Sequence, residues 1–359
     1  MKICVVTAWF PSDIHPGAGN FVANDAAALS EDHEVIVVHL VDPKLDDGWR
    51  DFRLGDVRVL RRPMPWGRPC AAAATMRGLR PVFDGADIVH TMACPSLIKF
   101  ALSRSRTPVV HTEHWSGILR TPSSRMAGLK IPLLKALFRR PRAVCAVSSY
   151  LGSALEVVTG RAVTVIPNIV TPPPYSPPRE SDGTLRLLSV GNLVAGKHPL
   201  LAVDTVAELA DRGFDVSLWW AGQGPLADEV RDHARKLQIS DRIELLGHVP
   251  PALLAARYAE ADVVLHTSSD ETFCIVAAEA LCAGRPLVIQ DTGGHRDFVS
   301  EPYCTFPTDR TPAAFAHAVE QAYSNRRSDG FESYAGGLAE LLGHQAFRTR
   351  WNAVYGEIL

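Results

Sequence analysis

No apolar run in the 359-residue chain approaches the ~18 residues that a membrane span needs. Its first apolar stretch, Met1 to Phe10, ends at Pro11-Ser12-Asp13. That is too short for a signal-peptide core with a cleavage site, so a first strand is expected there. Neither sign of charge is in marked excess: 37 Lys and Arg face 39 Asp and Glu, a net charge of -2. Non-specific nucleic-acid binding is therefore not expected. The seven cysteines form no C-x-x-C pair and no Cys/His zinc spacing. Most lie in apolar runs and read as buried free thiols of a reducing, cytoplasmic compartment.

What is present is an alternation of short β-branched runs with helical patterns. KICVVTAWF is followed by the helix pattern FVANDAAALSED and then by HEVIVVHLV. ADIVHTM, TPVVHTEH, RAVCAVS and AVTVIPN continue the series. This rhythm predicts a parallel sheet covered on both faces. Residues 167–183 hold six prolines and read as an interdomain linker. The alternation then restarts with LRLLSVG, VSLWWAG, RIELLGHV, ADVVLHTS and RPLVIQ, separated by helix patterns at 199–211, 226–237, 251–260 and 276–282. The expectation is an α/β chain of two doubly wound Rossmann-like domains, 1–166 and 184–343. A helix over 344–359 carries Phe347, Trp351, Val354, Tyr355 and Ile358 at helical spacing. It fits either a cap on the second domain or a return to the first. Two such domains imply a central cleft facing the carboxyl ends of both sheets, with the chemistry in loops that follow strands.

The strongest chemical signal follows ADVVLHT, in Ser268-Ser269-Asp270-Glu271-Thr272-Phe273-Cys274-Ile275 and the helix pattern that carries Glu279. Glu271 falls in the loop and Glu279 about one turn into the helix. Two carboxylates at different depths suit the hydroxyl pairs of a ribose and a sugar. The plainer reading makes Glu271 a charge at a helix N-terminus and Glu279 a solvated residue. Apolar neighbours on both sides of Glu279 weigh against it. Near the start, Gly17 and Gly19 precede a helix. A dinucleotide fingerprint is disfavoured there because Val22 stands in place of the third glycine. His111, Glu113 and His114 could suggest a metal, but they share no helix face and no third-ligand motif follows. No metal and no cofactor is expected.

These segments together resemble family-4 retaining glycosyltransferases. The resemblance runs through FPSDIHPGAGNFVANDAAALS, HTEHWSG, VIPN, SVGNLVAGKHPLL, WAGQGPL, LLGHVPP and the Glu271/Glu279 pattern EALCAGRPLVIQDTGG, all in order. It implies a GT-B fold, a nucleotide-diphospho-sugar donor and retention of the anomeric configuration. By position, Glu279 should bind the donor ribose, Glu271 the hydroxyls of the transferred sugar, and Lys197 the diphosphate. Thr272, Phe273, Cys274 and Ile275 share the Glu271 loop, and Gly293-Gly294 closes the donor side. Gly191 should let the backbone approach, and Gly19, with Gly17, should lie beside the diphosphate. Gly247-His248-Val249 should meet the base, and His114 the transferred sugar. Asn192 departs from the arginine many relatives carry after that glycine, and Arg296 is a possible substitute. No Asp-x-Asp occurs, so Lys197 and helix N-terminal N–H groups are left to meet the charge of the leaving diphosphate. A metal-independent front-face displacement is implied by the resemblance. A nucleotide-sugar epimerase of the same fold and a non-catalytic nucleotide-sugar-binding protein are the rival readings.

Two finer expectations concern substrates. Pro250 and Pro251 stand where relatives that select guanine can place an acidic side chain, so a UDP-sugar is expected, with UDP-glucose and UDP-N-acetylglucosamine equal choices by resemblance. The acceptor is expected to be a small molecule, a glycan or lipid-linked. From Trp115 to Leu155 there is no Asp or Glu, while Arg120, Arg125, Lys130, Lys135, Arg139, Arg140 and Arg142 interleave with apolar residues. That block suits either a helix with a solvated basic face or weak contact, through 120–142, with an anionic membrane at the inner face.

Overall fold

The computed structural model describes residues 1–15, 17–65, 67–119 and 132–359. The chain divides into two compact units, Met1–Ile169 with His344–Leu359, and Val170–Gly343.

The first unit holds an eight-stranded sheet in the order β3-β4-β2-β1-β5-β6-β7-β8. Its strands are β1 (Lys2–Thr7), β2 (Glu34–Val41), β3 (Asp51–Leu54), β4 (Val57–Pro63), β5 (Ile88–Met92), β6 (Val109–Glu113), β7 (Ala143–Ala146) and β8 (Thr164–Val165). All pairs are parallel except the β3–β4 hairpin, which turns through Gly55 at φ +58°. The second unit holds six parallel strands in the order β11-β10-β9-β12-β13-β14. They are β9 (Leu185–Val190), β10 (Val216–Ala221), β11 (Ile243–Gly247), β12 (Val263–His266), β13 (Leu287–Ile289) and β14 (Cys304–Thr305). The central strands are buried on both faces, so β5 and β12 are buried at every position rather than at alternate ones. Each sheet reverses its winding beside its first strand, between β1 and β5 and between β9 and β12. Loops leaving such a reversal splay apart and form a crevice at the strands' carboxyl ends.

The Pro-rich stretch is not a separate linker. Asn168 belongs with the first unit, while residues from Val170 onward belong with the second. Backbone and side chains strap it down: Ser176 N–H donates to the Ala283 carbonyl at 3.2 Å, and Arg179 pairs with Asp262 at 2.8 Å. A Cβ on Gly284 would come within 2.6 Å of the Tyr175 ring, so that crossing needs glycine. Proline without helix or strand therefore does not mean a free tether here.

The last helix, His344–Gly356, packs in the first unit. Phe347, Trp351, Val354 and Tyr355 share one core with Ile3, Val5, Leu29 and Ile88. The Tyr355 hydroxyl lies 2.8 Å from His90 Nδ1, and Arg348 holds Asp32. Of the basic segment, 120–131 lies outside the described residues. In the remainder, Phe138 is buried and Leu134 and Leu137 pack against the core, leaving Leu133 as its exposed leucine. Arg140 lies over the Phe100 ring at 5.3 Å. The apolar stripe of residues 132–138 thus faces mainly inward. Among the described residues, no helix is long and apolar enough to cross a membrane.

Candidate functional site

In the second unit, the turn after β9 and the loop after β12 meet at the sheet's reversal. Gly191 has φ +145°, a conformation that L side chains rarely adopt. Gly222 and Gly224, after β10, lie against this turn: a Cβ on Gly222 would stand 1.9 Å from the Gly191 carbonyl oxygen, and one on Gly224 2.3 Å from that of Leu193. The Trp220 indole N–H also donates to the Gly191 carbonyl at 2.8 Å. From the other side, Thr267 donates to the Lys197 carbonyl at 2.8 Å, and Ser268 to that of Gly196 at 3.2 Å. Strands β9 and β12 therefore present Lys197 and Glu271 from two rigidly joined loops.

The Lys197 ammonium lies 2.5 Å from Glu271 Oε1, and His266 Nε2, at the end of β12, lies 2.8 Å from the same oxygen. Burial alone would raise the Glu271 carboxyl; the His266 hydrogen bond and the Lys197 charge outweigh it and hold it far below the usual range. Burial would likewise lower Lys197, but the Glu271 charge wins and raises it. Both groups are charged at neutral pH. Cys274 completes the cluster: its Sγ lies 3.5 Å from His266 Nε2, and its backbone takes φ +71° just before the helix Ile275–Cys282. Burial pushes this thiol well above its ordinary value.

Glu279, inside that helix, is a different carboxylate. It accepts from the Tyr258 hydroxyl at 2.9 Å, and burial raises it to about 7, the hydrogen bond opposing. Gly294 N–H donates to the Glu271 carbonyl at 2.8 Å, and a Cβ on Gly293 would stand 2.9 Å from that oxygen. The Gly293-Gly294 loop thus closes onto the Glu271 loop.

Other expected residues are placed less centrally. Phe273 is buried with its ring 5.1 Å from that of Phe298, so its side chain belongs to the core. Arg296 forms a half-exposed ion pair with Asp291 at 3.2 Å and stacks over Phe306 at 4.5 Å. Asn192 and His248 are exposed, while Thr272, Ile275 and Val249 are half-buried. Gly247, at φ +68°, bridges Gly222.

In the first unit, Gly19 caps the helix Asn20–Ser30 at φ +71°. A Cβ there would stand 2.4 Å from the Trp9 carbonyl, so two independent constraints demand glycine. Gly17 has open space around it. His114 is half-buried with its ring 4.6 Å from that of Phe21. Burial, then the neighbouring His111, lower it to about 3 against an Asn168 hydrogen bond, so the imidazole is neutral. Glu113 is buried and accepts the backbone N–H groups of Cys94, His114 and Trp115 at 2.9 to 3.0 Å. It shapes the loop that carries His114.

Sequence reasoning missed His266, Tyr258 and Thr267. His266 has a legible signal, a polar residue ending an apolar strand five positions before Glu271. Tyr258 has none, since its pairing with Glu279 is a tertiary contact.

Residues 16–172 match the family described as Glycosyltransferase Family 4, and residues 176–335 the family described as Glycosyl transferases group 1. The chain belongs to glycosyltransferase family 4. Its fold class is GT-B. Over 182 residues this family-4 chain is 32% identical to a GDP-mannose-dependent alpha-(1-6)-phosphatidylinositol dimannoside mannosyltransferase of Mycobacterium tuberculosis, covering 46% of this chain and 45% of that one. Over 173 residues it is 37% identical to a GDP-mannose-dependent alpha-mannosyltransferase of the same species, covering 45% and 43%. The matches thus span under half the length of these relatives. Among solved structures, Anabaena Alr3699/HepE in complex with UDP and glucose is similar, with TM-score 0.76 and 18% identity over 99% of this chain and 100% of that one.

Proposed function

We propose that the chain is a retaining, metal-independent glycosyltransferase that moves a hexose from a nucleoside-diphospho-hexose to an acceptor hydroxyl. The observation that carries this reading is the Lys197–Glu271–His266 set at the reversal of the second sheet, joined to a loop of two glycines. Lys197 meets the diphosphate and the charge that grows on its bridging oxygen. Glu271, kept ionised, accepts hydrogen bonds from hydroxyls of the sugar. Glu279 accepts from the ribose. Gly191 and the Gly293-Gly294 loop allow backbone N–H groups to approach the anion. The departing phosphate oxygen takes the acceptor proton as the new bond forms on the same face.

The donor is proposed to be GDP-mannose, because two relatives above 30% identity are named for it. A UDP-hexose is the second reading, favoured by Pro250-Pro251 and by the nucleotide in the Anabaena structure. The acceptor is proposed to be lipid-linked, after the first relative's name, with the exposed Arg139 and Leu133 touching an anionic surface weakly.

Incubation with labelled GDP-mannose, UDP-glucose and UDP-N-acetylglucosamine, with and without chelator, tests the reading. Chelator-resistant transfer or slow hydrolysis of one donor, with product of the donor's own anomeric configuration by NMR, is the expected result. Epimerised donor, or binding without turnover of any donor, would replace it with one of the rivals. Sedimentation with anionic vesicles at low and high salt tests the surface contact. Binding that is absent at low salt, or that survives Arg139→Glu, would leave a soluble acceptor.

A further inference from the structure

His266 Nε2 faces two groups at once, a carboxylate oxygen of Glu271 at 2.8 Å and the Cys274 sulfur at 3.5 Å. One ring nitrogen cannot satisfy both as a donor, since it carries a single proton. The three ligand atoms lie within 4.8 Å of one another, and no other group of three His, Cys, Asp or Glu side chains among the described residues comes as close. His266 and Cys274 are 4% and 5% exposed, while Glu271 opens to the crevice with 13% of its side chain. The spacing has a physical reading. Zinc binds imidazole at about 2.0–2.1 Å and thiolate at about 2.3 Å, so a tetrahedral angle between them sets N and S about 3.5 Å apart. That is the N–S separation observed, while the N–O pair at 2.8 Å must open to about 3.4 Å, which the cation does by drawing Glu271 off His266. The backbone at Cys274 is consistent with a constrained position, because a cysteine holds φ +71° there and points its sulfur inward.

We propose that His266, Glu271 and Cys274 form an inhibitory site for a borderline-soft divalent cation, zinc by chemistry, that competes with the nucleotide-sugar. Three mixed N, O and S ligands leave a fourth position open to solvent, as in zinc sites that are not purely structural. On binding, the cation takes Glu271 from Lys197; the proton on His266 Nε2 passes to Nδ1, the Cys274 S–H bond breaks, metal–nitrogen and metal–sulfur bonds form, and the thiol proton is released to solvent. No oxidation state changes. The Lys197 ammonium, now beside a second cation, turns away, and both donor contacts are lost together. The competition rests on the donor-site reading above; the cation site itself does not.

The test is titration of the whole protein with cobalt(II), whose thiolate complexes absorb by charge transfer, followed by zinc. The expected result is a one-equivalent charge-transfer band that zinc abolishes. The band should be absent in Cys274→Gly, a variant whose backbone suits the positive φ and whose fold is checked by circular dichroism. No band in the unaltered protein, or a band that persists in Cys274→Gly, would overturn the site. Nucleoside-diphosphate affinity is then measured with and without zinc in both proteins. Chelation of zinc by the nucleotide is common to both and cancels. An extra zinc-induced loss in the unaltered protein supports competition. A cobalt band with equal losses in the two proteins would keep the cation site and overturn its overlap with the donor.

Discussion

Lys197 and Glu271 stand 74 positions apart in sequence and 2.5 Å apart in space. Each keeps the other charged against burial, so the pair is primed before any donor arrives. Lys197→Ala is expected to weaken nucleoside-diphosphate binding by ~1.5–3 kcal/mol, the scale of a charge-assisted hydrogen bond. Calorimetric titration measures it, and unchanged affinity would remove Lys197 from the diphosphate. Glu279 behaves oppositely. Its ordinary value is 4.5, and burial raises it to about 7. The folded protein keeps this proton where the unfolded chain has released it. The associated stability is full below the ordinary value and is lost as pH rises through about 7. Ribose hydroxyls donate best to the ionised form. Nucleoside-diphosphate affinity should therefore gain as pH rises through about 7, beyond the nucleotide's own titration. Glu279→Gln should lack that gain, so parallel pH titrations of the two proteins decide it. Curves of identical shape would take the ribose away from Glu279.

At the scale of elements, the site depends on how tightly two strand-following loops cross. The Gly222 position is the sharpest case, since a methyl group would overlap the Gly191 carbonyl at 1.9 Å. Gly222→Ala is expected to cost roughly 3 kcal/mol or more and to displace the Lys197 turn. Thermal melting should show the loss of stability, and nucleotide binding should fall further than stability alone explains. A variant that melts and binds normally would mean that the crossing is looser than described. The helices 199–211 and 251–260 were legible to the residue, because proline at the first turn marks each start. The β3–β4 hairpin was not legible. Its strands alternate charged and apolar residues around a single glycine, and that pattern is weak beside the buried parallel strands.

At the scale of the whole molecule, the chain completes its first unit with its last helix. Trp351 and Tyr355 pack around His90, with the Trp351 ring 4.5 Å from that of His90 and the Tyr355 hydroxyl 2.8 Å from its Nδ1. Trp351→Ala should cost ~3–5 kcal/mol by opening a cavity. Ending the chain at Gly343 should uncover the core around Ile3, Val5 and Ile88. Calorimetry of the truncated protein should show the first unit's transition lost while that of the second persists. Two transitions at their original temperatures would show the helix to be dispensable.

By itself the sequence determined the α/β class, the two series of strands, the strand-following position of every proposed donor contact and the family. Those features rest on local periodicity, glycine and proline chemistry, and motifs that are contiguous in the chain. Tertiary structure alone decided that the proline stretch is strapped down, that the last helix returns to the first unit, and that Arg296 lies against Asp291 and Phe306. It also decided that Glu271 and Glu279, eight residues apart, hold protons in opposite ways. The reason is physical: a carboxyl's proton affinity follows what surrounds it. His266 and Lys197 surround one, while burial raises the other against the opposing hydrogen bond of Tyr258, and these surroundings are brought there by the winding of the sheet rather than by nearness along the chain.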